Sequence, residues 1–388
     1  MKISSLNKQN ILTSIKFCLI VPIALIVRKF RKNIWIITER YDQARDNGYC
    51  FFKYVREEQK EQEVYYVIDK KASDYQKIKD FENIIQYDSW KHYLYYCIAN
   101  VHISAHVGGC APSNSPICRR LKPILKYKTV FIPHGVSYGI AEFCLQKYAK
   151  IDLFICSGKL EYENVLKNYG YSPKEVAYTG FPRLDSWHNI EVNAKQILVM
   201  PTWRLYLAQN PNTVFENTTY YRHYQGLLQD KMLHEFLDKN DLKLIFYLHH
   251  NMQKYVNSFS SDSPNIEIVY KEETYDIQEL LKSSAIMITD YSSVHFDFAY
   301  MKKPVIYYQF DRKEFFEKQY LKGVFDVEQD GFGPVVVEKN QLVQELIQMW
   351  NKPFKMDGFY YRRMRMFYQI YDDKNCERVF RCIKNVYK

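Results

Sequence analysis

The chain has 388 residues, too long for one ordinary domain and suited to two of comparable size. Hydrophobic residues make up 47% and charged residues 25%, which supports a packed core and excludes a disordered chain. A net charge of +10 points to acidic partners: nucleic acid, an anionic membrane surface or phosphorylated substrates. With no zinc finger, RNP-like aromatic motif or long basic arm, nucleic acid is set aside.

The chain opens on an apolar run, Phe17–Val27, flanked by Lys16 and by Arg28, Lys29, Arg31 and Lys32. A spanning helix needs ~20 apolar residues, and this run is shorter and contains Pro22. A signal peptide would end in a small-residue cleavage site, whereas a basic cluster follows here. An interfacial anchor, with cations toward anionic headgroups, and a buried first helix both fit. Residues 1–32 are expected to form a membrane-interface anchor at the cytoplasmic face, holding the protein peripherally.

Short apolar strands then alternate with helical stretches. Strands are expected at 32–38, 64–68, 84–85, 101–104, 129–133 and 153–156, with Asp46-Asn47-Gly48 opening a helix. After Gly180-Phe-Pro-Arg-Leu-Asp185 the rhythm restarts, with strands at 197–200, 242–248, 266–269, 286–289 and 305–308. Two βα series predict an α/β protein of two Rossmann-like domains, 33–188 and 189–388, facing a central cleft, with a C-terminal helix free to pack back on the first. Ligands of such sheets sit beyond the carboxyl ends of the strands.

The strand ends carry the candidate chemistry. Ile288-Thr-Asp290-Tyr-Ser292-Ser293-Val-His-Phe-Asp-Phe298 places a polar turn and a helix start, at about Ser292 or Ser293, after a strand. A diphosphate or an ordinary capping serine fits that turn. His134-Gly135 ends a strand of the first domain: a histidine suited to general-base work, then a glycine where backbone must come close. His249 and His250 end a strand of the second domain, where an imidazole could meet a donor phosphate. Carboxylates at ligand spacing are missing nearby, so no metal is expected. Thr202 and Arg204, in Pro201-Thr-Trp-Arg204, stand where an arginine could clamp a phosphate. On the acceptor side, the turn Thr38–Gly48 offers Arg40 and Asn47, and the strand end Ser104-Ala-His106 offers His106. The nine cysteines include no Cys-x-x-Cys pair and read as reduced thiols.

Taken in order, His134-Gly135, Gly180–Asp185, Pro201–Arg204, the strand-end His249 and Thr289–Asp297 followed by Lys303-Pro304 resemble the CDP-glycerol glycerophosphotransferase family. The resemblance implies a GT-B fold and transfer of a polyol phosphate, glycerol phosphate foremost, from a CDP-linked donor to a hydroxyl of a membrane-associated, lipid-linked glycan. CMP would be released, in teichoic acid or capsule-type polymer synthesis, with no cofactor. It assigns His134 as the base, and His249, Ser292 and Ser293 as holders of the donor diphosphate. A CDP-ribitol-dependent transferase and a nucleotide-sugar GT-B glycosyltransferase are the alternative readings. Val136, Leu205 and His250 depart from the residues common in that family.

Overall fold

The structure is a computed structural model that describes residues 8–113, 116–188, 190–208, 210–270, 275–319, 321–351 and 355–387. Of the 1–32 segment, the first seven residues therefore lie outside the described residues.

Two all-parallel sheets form the frame. The front sheet holds β1 (Trp35–Thr38), β2 (Val64–Ile68), β3 (Ile84–Gln86), β4 (Val101–Ser104), β5 (Lys128–Phe131), β6 (Leu153–Cys156) and β7 (Val176–Tyr178), in the order β3-β2-β1-β4-β5-β6-β7. The rear sheet holds β8 (Asn193–Val199), β9 (Lys243–Phe246), β10 (Ile266–Ile268), β11 (Ser284–Thr289), β12 (Val305–Tyr308) and β13 (Val335–Val336), in the order β10-β9-β8-β11-β12-β13. β1, β4, β6, β11 and β12 are buried along their whole length, as parallel strands covered by helices on both faces must be.

The two sheets are tied by the segment between them and by the chain's end. Asp185 accepts the backbone N–H groups of Asn375 (2.8 Å) and Cys376 (2.9 Å), capping the helix Asn375–Tyr387. Arg378 of that helix donates to the Thr179 carbonyl at 2.8 Å. Gly180 adopts φ +81°, and a Cβ there would stand 1.9 Å from Asn375 Oδ1, so only glycine fits the crossing. Lys303 is buried and donates to the carbonyls of Lys282 (2.9 Å) and Ser284 (2.7 Å), closing the helix Ile277–Ser283 that leads into β11. Burial pushes its ammonium down to about 7.

The first helix corrects an expectation. α1 runs Lys8–Phe30, straight through Pro22, and its stretch Asn10–Phe30 is long and apolar enough to cross a membrane. Ile11, Leu12 and Ile15 extend the apolar character beyond the run read from sequence. It is nevertheless docked. Phe17, Ile20 and Ala24 are buried, with Phe17 against Tyr93 and Tyr96 of α3 (Trp90–Ile98). The opposite stripe is bare: Ile15 is 51% exposed, Leu19 58%, Ile23 56% and Ile26 61%. A helix with one face built into a domain offers only the other to lipid.

Candidate active site

The loop after β5 meets the turn after β11. His134 is exposed at the end of the first, and Gly135 follows in contact with the second: a Cβ at 135 would stand 2.5 Å from Ser293 Oγ and 3.2 Å from Ser293 Cβ. The Tyr138 hydroxyl, on the same loop, donates to the Tyr291 carbonyl.

Serine capping does not occur as expected. The helix runs Val294–Tyr300, and Ser293, at the cap position, has helical φ and ψ and makes no side-chain capping bond. Both serines are half-buried, and the Ser293 hydroxyl lies against Gly135 of the opposite loop. A seven-residue helix has little dipole of its own; hydroxyls and free N–H groups are what this turn offers an anion.

His249 begins a 3₁₀ segment, and its Nδ1 accepts the Asn251 N–H at 3.2 Å, which leaves Nε2 carrying the proton in the neutral ring. Burial lowers its pKa to about 3, helped by His250 and by His134. Trp203 lies nearly parallel to His249, with centroids 5.8 Å apart at 14°, and His250 abuts its other side at 4.2 Å. His106 sits beside His134, ring centroids 5.5 Å apart, and burial lowers its pKa to about 4. Arg40 is exposed beside Asp42.

Three expected contacts take other positions. Arg204 is wholly buried: Nε and Nη2 donate to Asp311 (2.8 and 3.0 Å), Nη2 also to Asp290 (2.8 Å), and Nη1 to the Thr202 carbonyl (2.7 Å). Tyr220, Tyr291 and Phe315 enclose it, so its charge is spent inside the rear domain rather than on a phosphate. Asp290 is equally buried and accepts from Thr202 N (2.7 Å), Tyr291 N (2.6 Å), Arg204 and the Tyr224 hydroxyl (3.1 Å). It fixes the loops after β8 and β11 to each other. Asn47 is buried too, donating to the Pro133 carbonyl (2.7 Å) and accepting from Arg183 N (3.2 Å). It steadies the strand end that carries His134. Thr202 is buried as well, and its Oγ1 has no hydrogen-bond partner.

Sequence reasoning passed over the residue that joins the halves. Arg183, inside the segment where the strand rhythm restarts, is buried and donates to Asp46 at 2.7 Å and to both oxygens of Asp297 at 2.7 and 3.0 Å. Asp46 caps α2 (Asn47–Glu58) in the front domain, and Asp297 lies in the helix behind Ser293. Burial pushes Asp297 up to about 6 against the pull of Arg183. Glu39 was likewise missed. Its carboxylate accepts from the N–H groups of Arg45, Asp46 and Tyr49, shaping the turn into α2, while burial foremost pushes it up to about 7. For Arg183 the available signal was a charge between the apolar Phe181, Pro182 and Leu184; Glu39, in a turn rich in charges, carried none. Among the described residues, no group of three or more His, Cys, Asp or Glu side chains could hold a metal ion.

The chain is 33% identical over 367 residues to the minor teichoic acid biosynthesis protein GgaB of Bacillus subtilis, covering 91% of this chain and 40% of that protein. It is 27% identical to the teichoic acid glycerol-phosphate primase of the same organism, over 45% of this chain and 44% of the relative. The chain thus spans less than half the length of these curated relatives. Among solved structures, the wall teichoic acid polymerase TagF superposes with a TM-score of 0.67 at 14% identity, over 98% of this chain and 99% of that one. A UDP complex of Staphylococcus aureus MnaA gives 0.55 at 16% identity, over 92% of this chain and 96% of that one. These likenesses fix the fold as two Rossmann-like domains of the GT-B kind. With a family match running over residues 19–385, the chain belongs to the CDP-glycerol:poly(glycerophosphate) glycerophosphotransferase family.

Proposed function

We propose that this protein transfers a polyol phosphate, glycerol phosphate foremost, from a CDP-linked donor to a hydroxyl of a membrane-associated glycan, releasing CMP. The observation that carries the reading is the apposition of Gly135 and Ser293, which sets an exposed imidazole at a polar turn of the opposite domain. The donor diphosphate lies across Ser292 and Ser293, both half-buried at the turn after β11. His134 takes the proton of the acceptor hydroxyl as its oxygen bonds to the β-phosphorus, the atom bearing the polyol. The bond from that phosphorus to the bridging oxygen breaks, and the electron pair leaves with CMP. His249, neutral and with Nδ1 already satisfied, offers its Nε2–H to the charge growing on the departing phosphate. Phosphoryl transfer asks a protein mainly for positioning and charge stabilisation, and these groups supply both.

The bare stripe of α1 and its cations suit peripheral attachment to the anionic cytoplasmic face of a membrane, where a lipid-linked acceptor of teichoic acid or capsule type would be met. The test is a donor panel of CDP-glycerol, CDP-ribitol and UDP-sugars with purified protein. CMP release from a CDP-polyol supports the reading; UDP release from a UDP-sugar alone replaces it with glycosyl transfer.

A further inference from the structure

A row of aromatic side chains leads from α1 to His134 along the carboxyl ends of the front strands. The sheet order β3-β2-β1-β4-β5 sets Tyr87, Tyr41, His106 and His134 in sequence across the ledge, since they follow β3, β1, β4 and β5. Four strand spacings make this about 19 Å. Ring contacts join the row in two pairs: His134 and His106 are 5.5 Å apart, and Tyr41 stacks on Tyr87 at 5.1 Å and 29°. Beyond Tyr87, Asp88 pairs with Lys16 of α1 at 3.1 Å, and the Lys16 ammonium also stands 5.9 Å from the Trp90 ring centroid. Tyr41 is 47% exposed and Trp90 56%.

Resting on the function proposed above, we propose that Tyr41, Tyr87 and Trp90 form a saccharide-binding ledge that carries the glycan part of the acceptor from the membrane helix to His134. The chemistry of the row selects that occupant. A pyranose has a C–H face that packs on the negative face of an aromatic ring, and a rim of hydroxyls that seeks hydrogen bonds. The ledge alternates aromatic faces with polar groups: Arg40 and Asp42 flank Tyr41, and Gln86 and Asp88 flank Tyr87. A lipid tail would meet charge at each step of this row, in contrast to the uninterrupted apolar stripe on α1. The donor nucleotide belongs to the rear domain, across the gap. Lys16 joins the two surfaces: it sits on the membrane helix and reaches the first aromatic of the ledge.

The test is Tyr41→Ala with Trp90→Ala in the full chain, assayed with a lipid-linked disaccharide acceptor in detergent micelles. The acceptor KM should rise about tenfold or more while the donor KM stays at the wild-type value. Tyr41→Phe with Trp90→Phe, which keeps the ring faces, should restore the acceptor KM. Equal acceptor KM in the alanine variant and wild type overturns the ledge, as does loss of anionic-vesicle binding without a change in KM. A turnover-free reading separates this from the reaction itself: titration with chitobiose should perturb Trp90 fluorescence in wild type. That response is expected even if no CDP-polyol releases CMP, a result that would sink the proposed reaction alone; its absence counts against the ledge alone.

Discussion

Gly135 and Ser293 meet across the two domains, and position 135 cannot gain bulk without parting them. Gly135→Ala puts a methyl 2.5 Å from Ser293 Oγ, so one loop has to yield. We expect a stability loss of about 1–3 kcal/mol from overpacking, seen as a lower Tm. A displacement of about 1 Å at the reacting groups should lower kcat about 100-fold. Adding Ser293→Gly removes the collision and should recover the Tm without recovering activity, because the donor-side hydroxyl is then gone. Recovery of both would mean that the Ser293 hydroxyl does not hold donor.

Arg183 sets the relation of the two halves through Asp46 and Asp297. Arg183→Met strands a buried carboxylate and should cost about 3–5 kcal/mol. The pH dependence has a definite sign. The folded pKa of Asp297, about 6, already lies above its ordinary 3.8, so its contribution is present below 3.8 and lost as pH rises through 6. Without Arg183 that pKa climbs further, so the Tm deficit of the variant should be larger at pH 8 than at pH 5. Arg183→Met with Asp297→Asn should regain part of it. A deficit independent of pH would show that Asp297 is not the group being stranded.

Arg204 is a test of pillar against clamp. Arg204→Lys leaves one ammonium to do what the guanidinium does for Asp290, Asp311 and the Thr202 carbonyl. Thermal unfolding should shift down by several degrees, and the donor KM, measured where the variant is still folded, should hold close to wild type. An unchanged Tm with a raised donor KM would return Arg204 to the phosphate.

His249 should behave as a permanent neutral donor. Its folded pKa of about 3 lies below the ordinary 6.5, so the unfolded chain takes up a proton below 6.5 that the folded chain refuses. The residue therefore counts against the folded state as pH falls toward 3. Nitrogen NMR of the imidazole should report a neutral ring protonated at Nε2 throughout pH 5–8. A titration inside that window, or a proton at Nδ1, would remove its assigned role at the leaving phosphate.

Much of this was legible because parallel strands buried on both faces read as plain apolar runs: β2, β6 and β12 fall at the residues their composition marks. β7 and β13 escaped: they are three and two residues long, and they lack the paired isoleucines that mark the equally short β3 and β10. Which polar residues point into the gap was harder. His134, His106, Ser293 and Arg204 all follow strands, but only burial separates a side chain that faces a ligand from one that braces a loop. Arg204 and Asp290 satisfy each other, a pairing across 86 residues that no local pattern carries. Arg183 was hidden for the same reason, since its partners lie 137 and 114 residues away. The first helix was underestimated because an unbroken apolar count ignores residues that share its face across polar neighbours.

In the proposed reaction the front imidazole acts on the acceptor rather than holding the donor. His134→Ala should be compared with wild type in two measurements on the same preparation: CDP-glycerol binding by calorimetry, and CMP release in the presence of acceptor. Retained binding with release reduced at least about 100-fold is the predicted result. Binding lost in step with release would contradict it, and would move His134 to the donor side of the gap.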